Sequence, residues 1–268
     1  MGNKLISLMP KNELAKAAVF DLGLQWAAFS ISYALKTEKF YDLIGSSTFL
    51  GLTWLTLSWG KQDGSQYFDR QIAQNLCVSL WASRLGCFLF SRVLSSGEDR
   101  RFRKVKGNFS LFLMYWTIQG LWVWFTLLPT MILNLKKVDK EMNYRDYLGF
   151  AIFASGFLIE ATADYQKTKF RSNPLNKDKF VKTGLWSISR HPNYFGEILI
   201  WCGLFLPASN VLEGKEWLSI ISPMFVSYLL TKVSGIPILE KYADRKWGAL
   251  SEYQKYKQNT AKLIPFVW

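Results

Sequence analysis

Acidic residues, cysteine and histidine are scarce in this chain of 268 residues, which has 20 Asp+Glu against 33 Lys+Arg, three cysteines and one histidine. Charged residues make up only 20% of the chain, where a soluble domain carries about a quarter. Cys77, Cys87 and Cys202 are odd in number and far apart. No CxxC pair occurs, so the sequence signals neither a disulfide framework nor a zinc or other metal site. Neither GxGxxG nor GxxxxGK[ST] is present, so no soluble nucleotide-binding fold is signalled. No inverted repeat or pair of broken apolar segments points to a transporter. Residues 1–16 are mixed and polar, without the apolar core and cleavage site of a signal peptide, so none is expected.

What is abundant is apolar and aromatic surface. Half of the residues are hydrophobic, 16% are aromatic and 12 are tryptophan. Seven stretches approach the roughly 20 apolar residues that cross a bilayer: 14–35, 42–59, 71–94, 109–134, 147–164, 194–212 and 216–236. The fold class expected is therefore all-α, a polytopic membrane helix bundle in one domain. Residues 1–146 would be its substrate-side helices and 147–268 its cofactor-binding part. The loops 36–41, 95–108, 165–184 and 237–268 hold 19 Lys/Arg, against 10 in the alternate set. The positive-inside rule then puts the C-terminus in the cytosol and the N-terminus outside or in a lumen. The sequon at Asn108 falls on the cytosolic side and should stay unglycosylated. The charge of +13 follows this alternation of loops, so it reads as topology and not as nucleic-acid binding.

Polar groups inside spans are costly and mark function by default. Arg84 lies near the middle of the third span, whereas Arg92 is placed to snorkel from its end. Glu160 and Asp164 are four apart and share a helix face, which Lys167 and Arg171 continue. Cations suit phosphates, and carboxylates suit ribose hydroxyls and amides. A nucleotide cradle and a basic collar touching lipid head groups are both open at this point. The segment Ser189-Arg190-His191-Pro192-Asn193-Tyr194-Phe195-Gly196-Glu197 sharpens the reading. It holds the only histidine, and Pro192 sets a helix start whose free N–H groups favour an anion. Asn193 and Glu197 fall on one face.

SRHPNYFGE, preceded by GLW, resembles the steroid 5-alpha-reductase-like membrane proteins, in particular a subgroup of unassigned function. Arg84 and Arg92 with Gly97-Glu98-Asp99-Arg100-Arg101 resemble that subgroup's arginine-rich helix and loop. Gln119 also has a counterpart. Glu160, Ala163, Asp164, Gln166, Lys167 and Phe170 fit its E..AD.QK..F pattern, and Tyr253, Tyr256 and Leu263-Ile264-Pro265-Phe266 its tail. The resemblance covers roughly 71–268. It implies seven helices opening to the cytosol, NADPH as cofactor, and an endoplasmic-reticulum enzyme of lipid metabolism that reduces CH–CH groups. It places Asn193 and Glu197 near the nicotinamide amide. It makes Arg84, Arg92, Asp164, Lys167, Arg171, Lys179, Arg190, His191 and Tyr256 further cofactor-binding positions. Tyr194 and Glu197 are the expected catalytic residues. The expected partners are the bilayer and a lipid-like substrate, steroid- or enone-like.

The departures concern proton donation. Trp81 stands where the steroid enzymes have a tyrosine, and span 42–59 offers only Thr48, Thr53 and Thr56 in place of a glutamate. Hydride addition next to a carbonyl needs an acid at its oxygen, leaving Tyr194 and Tyr115 as candidates. Sterol reductases, which protonate an olefin, carry a similar HPNY motif. Isoprenylcysteine and phospholipid methyltransferases share RHP.Y and a Y..Y tail and bind S-adenosylmethionine. A non-enzymatic lipid-binding protein with a retained nucleotide site is the third reading.

Overall fold

The computed structural model describes residues 12–61 and 66–267. The segment read as free of a signal peptide therefore lies largely outside the described residues. The described chain is helical, with one isolated parallel bridge between Ser189 and Ala261. Its α-helices are α1 Glu13–Ala34, α2 Tyr41–Gly60, α3 Asp69–Ser96, α4 Phe109–Asn134, α5 Tyr144–Ser172, α6 Pro192–Ser209, α7 Ile221–Tyr228, α8 Ile236–Trp247 and α9 Ser251–Asn259. Each of the seven expected spans contains a helix. Five helical runs are long and apolar enough to cross a membrane: Glu13–Ala34, Asp69–Ser96, Phe109–Asn134, Tyr144–Ser172 and Gly214–Trp247.

The boundaries follow local chemistry. Asn12 Oδ1 accepts from Leu14 N, and Asn108 Oδ1 from Leu111 N, so both start helices as N-caps. Asn143 and Asp146 close a reciprocal capping box at the start of α5. Gly97 ends α3 in the left-handed region at φ 78°.

The chain divides into two compact units. The first runs to Met142 and adds Ala208–Ser222. Within it α2 packs on α3 and α4, and α1 on α4. Phe29, Phe102, Phe112 and Trp116 form an aromatic core. Trp81 is fully buried, edge-on to Phe49 at 4.9 Å. Several buried polar groups of these helices pair with one another, as an apolar surrounding favours. The Asn75 and Asn134 amides exchange hydrogen bonds at 2.9 and 3.0 Å. Gln74 donates to Thr130, and buried Arg70 to the carbonyls of Lys140 and Glu141.

The second unit comprises Asn143–Pro207 and Pro223–Trp268. Its frame is the antiparallel pair α5 and α6, which meet at glycines spaced seven apart on each helix. A Cβ on Gly196 would stand 2.6 Å from Gly156 O and 2.7 Å from Glu160 N. A Cβ on Gly203 would stand 2.7 Å from Gly149 O. Small residues let the two backbones approach this closely.

Candidate functional site

The glycine contacts set the register of α5 against α6. Because Gly196 sits on Glu160, the next turn of α5 brings Asp164 beside the start of α6. There Asn193 Nδ2 donates to Asp164 Oδ1 at 3.3 Å. Glu160 and Asp164 are 3% and 7% exposed. With the amide nitrogen committed to Asp164, Asn193 Oδ1 is buried and has no hydrogen-bond partner among the described residues. Glu197 stands one turn further along α6 from Asn193. Two α5 carboxylates thus lie at the crossing with α6, one of them hydrogen-bonded to the Asn193 amide.

The start of α6 is held by the chain on both sides of it. Gly184 takes φ 64°, and Leu185 N donates to Gln166 Oε1 of α5 at 2.9 Å. Trp186 Nε1 donates to Ala163 O at 3.0 Å, and Lys167 Nζ lies 4.5 Å from the Trp186 ring centre. Ser189 Oγ donates to Leu263 O, and Arg190 N to Ala261 O, so the LIPF tail is stitched to the motif.

Arg190 fans its guanidinium onto Lys257 O at 2.5 Å, Thr260 O at 3.3 Å and Glu240 Oε2 at 3.0 Å. His191 Nε2 meets Glu240 Oε1 at 2.9 Å, and its ring stacks on Tyr194 at 5.8 Å and 7°. Burial holds the His191 imidazole below its ordinary range, against the pull of Glu240 upward. The ring is then neutral near pH 7, with Nε2–H donating to Glu240. Tyr194 also packs on Gly235, where a Cβ would come within 3.0 Å of its ring.

The polar layer beyond α5 is tied down by aromatic contacts. Phe180 packs on Trp247, Tyr253 and Tyr256 at 5.8, 5.2 and 5.3 Å. Tyr256 OH donates to Trp186 O at 2.7 Å, and burial raises its phenol well above the ordinary range. Lys246 pairs with Asp178, Lys182 with Glu252, and Lys257 with Asp244.

The sequence-derived residues thus fall into three groups. Asp164 and Asn193 come together at the α5–α6 crossing, with Glu197 four residues along α6 from Asn193 and Lys167 three along α5 from Asp164. Arg171 and Lys179 lie at the exposed end of α5 and in the loop after it. Arg190 and His191 contact Glu240 of α8, Arg190 also the carbonyls of Lys257 and Thr260, and Tyr256 of α9 the carbonyl of Trp186. Arg84 and Arg92 belong to the first unit, at 5.8 and 5.9 Å from the Phe88 ring centre. The Gly97–Arg101 motif also has a local task there. Arg101 forks between Asp42 and Asp99, and Glu38 receives Asp99 N and Lys106. Thr48 and Thr56 donate to carbonyls of their own helix, Ile44 O and Leu52 O.

Glu240 is the residue whose weight the sequence concealed, since it gathers both Arg190 and His191 from about 50 positions away. An acid directly after the apolar run Ile236–Leu239 was its signal. Gln166 is similar: its role depends on Gly184, which would clash with the Gln166 amide at 2.5 Å if it bore a Cβ.

Residues 28–260 match the family described as "Protein of unknown function (DUF1295)". A probable O-methyltransferase, ustE, of Ustilaginoidea virens is 33% identical over 112 residues, covering 41% of this chain and 37% of that protein. A probable 7-dehydrocholesterol reductase of Acanthamoeba polyphaga mimivirus is 38% identical over 69 residues, 20% of this chain and 15% of that protein. The 3-oxo-5-alpha-steroid 4-dehydrogenase 1 of Macaca fascicularis is 27% identical over 130 residues, 48% of this chain and 44% of that protein. The chain therefore spans less than half the length of each of these curated relatives. No solved structure matches it. The match over most of its length places the chain in the DUF1295 family, which covers steroid 5-alpha-reductase-like membrane proteins.

Proposed function

We propose that this protein is a membrane-embedded reductase that uses NADPH to saturate a double bond in an apolar, steroid- or enone-like lipid. The observation that carries the reading is Asn193, whose amide nitrogen is spent on Asp164 while its buried oxygen is left to accept. A primary carboxamide such as that of nicotinamide supplies the missing donor. Glu197, on the same face of α6, is placed to accept the second amide hydrogen. Lys167, Arg171 and Lys179 supply cations for phosphates. When bound, NADPH would furnish the hydride. Tyr194, held between His191 and Gly235, is the proposed proton donor through its Oη. The proposed setting is the endoplasmic-reticulum membrane, with residues 160–197 and the tail on the cytosolic side.

A methyltransferase reading has one specific observation in its favour, the likeness to the probable O-methyltransferase over 112 residues. Against it, S-adenosylmethionine has no phosphate for Lys167, Arg171 and Lys179. The test is calorimetry on the full chain in detergent with each cofactor. We expect NADPH to bind, and Asn193→Ala and Glu197→Gln each to weaken it about tenfold, or ~1.4 kcal/mol. Lys136→Ala, whose lysine pairs with Glu216 in the first unit, should leave it unchanged. Equal affinity in all three variants overturns the site, and binding of S-adenosylmethionine alone overturns the reaction.

A further inference from the structure

The helix α8 carries a face that the reading above does not use. The apolar run 216–236, read as a span, ends in a break at Gly235, with φ −95° and ψ −100°. A Cβ on Gly235 would stand 2.4 Å from Leu230 O. α8, Ile236–Trp247, begins directly after this break. Five of the seven residues from 240 to 246 are charged, which is too costly for a hydrocarbon interior. α8 therefore leaves the bilayer core while starting at its edge, at the level of the head groups.

Successive side chains of a helix are about 100° apart around its axis. On α8, Ile236, Leu239, Glu240, Ala243 and Trp247 share one side, and all are buried or half-buried. From this side Glu240 receives Arg190 and His191. Ile238, Lys241, Tyr242 and Arg245 fall within about 100° of arc on the opposite side. All four are exposed, Ile238 at 57% and Tyr242 at 46%. The charges divide in the same way. The acids of residues 229–268 are Glu240, Asp244 and Glu252, and each pairs with a cation of the protein itself, Arg190, Lys257 and Lys182 in turn. Lys241 and Arg245 have no carboxylate partner among the described residues, and Arg245 Nε only turns back to Lys241 O at 3.2 Å.

We propose that the outer face of α8 is a docking surface for the anionic head groups of the bilayer that the chain spans. Its two unpaired cations complement lipid phosphates. Ile238 and Tyr242, one turn apart between those cations, suit the boundary where head groups meet acyl chains. The Lys241 and Arg245 stems can lie along that apolar surface while their charged heads stay wet. A free phosphate would meet the cations and leave Ile238 and Tyr242 in water. An acidic protein would also satisfy the cations, but α8 begins where a span ends, so the bilayer surface is always within its reach. The inference goes beyond the reductase reading, because this face lies opposite Glu240 and takes neither cofactor nor substrate. It is also distinct from Lys167 and Arg171 of α5.

Lys241 itself provides the assay. The full chain is reconstituted into vesicles of phosphatidylcholine alone, and of phosphatidylcholine with phosphatidylglycerol, at one ionic strength. A membrane-impermeant acetylating reagent is added, and mass spectrometry gives the acetylation of Lys241 relative to Lys246. Lys246 is on the same helix but pairs with Asp178, so the ratio does not depend on which way the chain is inserted. A cation near an anionic surface is favoured roughly fivefold, so the ratio should fall roughly fivefold when phosphatidylglycerol is present. Ile238→Asp and Arg245→Glu, both at exposed positions, should each weaken that protection, and the double variant should lose it. An equal ratio in the two vesicles overturns the proposal and leaves the face to an acidic protein. Full protection in the double variant overturns it as well. The first comparison uses the unaltered chain, so it decides even if a variant fails to fold. NADPH plays no part in the readout, so failure here is distinct from failure of the reductase reading.

Discussion

Gly196→Ala is the sharpest test of how α5 and α6 build the site. The added Cβ would lie 2.6 Å from Gly156 O, 2.7 Å from Glu160 N and 2.9 Å from Glu160 Cβ, where an ordinary contact is 3.4–4 Å. Two of these three atoms are backbone, so no side chain can swing aside, and the helices must separate by about 0.8 Å locally. Overpacking of this kind costs roughly 1–3 kcal/mol. The better helix propensity of alanine returns about 0.5–1 kcal/mol. The net loss is then about 0–2.5 kcal/mol, with a midpoint of ~1 kcal/mol that lowers Tm by a few degrees for a chain of this size. Gly23→Ala is the matched control, because nothing lies within 4 Å of its Cβ, and it should be neutral or slightly stabilising. Thermal unfolding of both variants in one detergent measures the difference. The same separation moves Asp164 away from Asn193, so NADPH affinity should drop in Gly196→Ala and hold in Gly23→Ala. Equal Tm and equal affinity in the two variants would refute the reasoning.

Three further outcomes are expected. His191 is held neutral by burial despite Glu240, with Lys167 and Arg190 also opposing its charge, so the unfolded chain binds the extra proton more readily. Stability should therefore fall as pH drops through the ordinary histidine value of 6.5 and level off below the lower folded value; unfolding midpoints of His191→Gln across pH 5–8 should lack that slope relative to the parent. Arg190→Lys cannot span Glu240 and the carbonyls of Lys257 and Thr260 together, so limited proteolysis should cut the C-terminal tail sooner, and an unchanged digestion pattern would count against the tie. Asn108 caps α4 through its side chain, and expression in glycosylating cells should give no glycosidase-sensitive shift; such a shift would reverse the topology read from the loop charges.

Much of the architecture was legible before the structure. The apolar runs locate helices well because an interior free of water forces backbone groups to pair within their own segment. Charge alternation between loops supports an orientation for the same chain. The motif around His191 announced a helix start, since Pro192 fits the first turn and lacks only an N–H that the turn leaves unpaired. Division of labour within the motif was not legible. Arg190, His191 and Tyr256 read as ligand contacts because their side chains suit phosphates and hydroxyls, yet each also has carbonyls, a carboxylate or an aromatic ring of the chain itself to satisfy.

The sequence by itself determined the helical class, the apolar spans, the family motif and the residue types gathered at 160–197. These depend on local propensity, periodicity and spacing along one chain, which need no knowledge of neighbours. Only the tertiary structure decided that Gly156 meets Gly196, that Asn193 is left with one unsatisfied oxygen, and that Glu240 closes on Arg190 and His191. Those depend on the closeness of backbones far apart in sequence, and closeness is set by which side chains are small enough to let two helices touch.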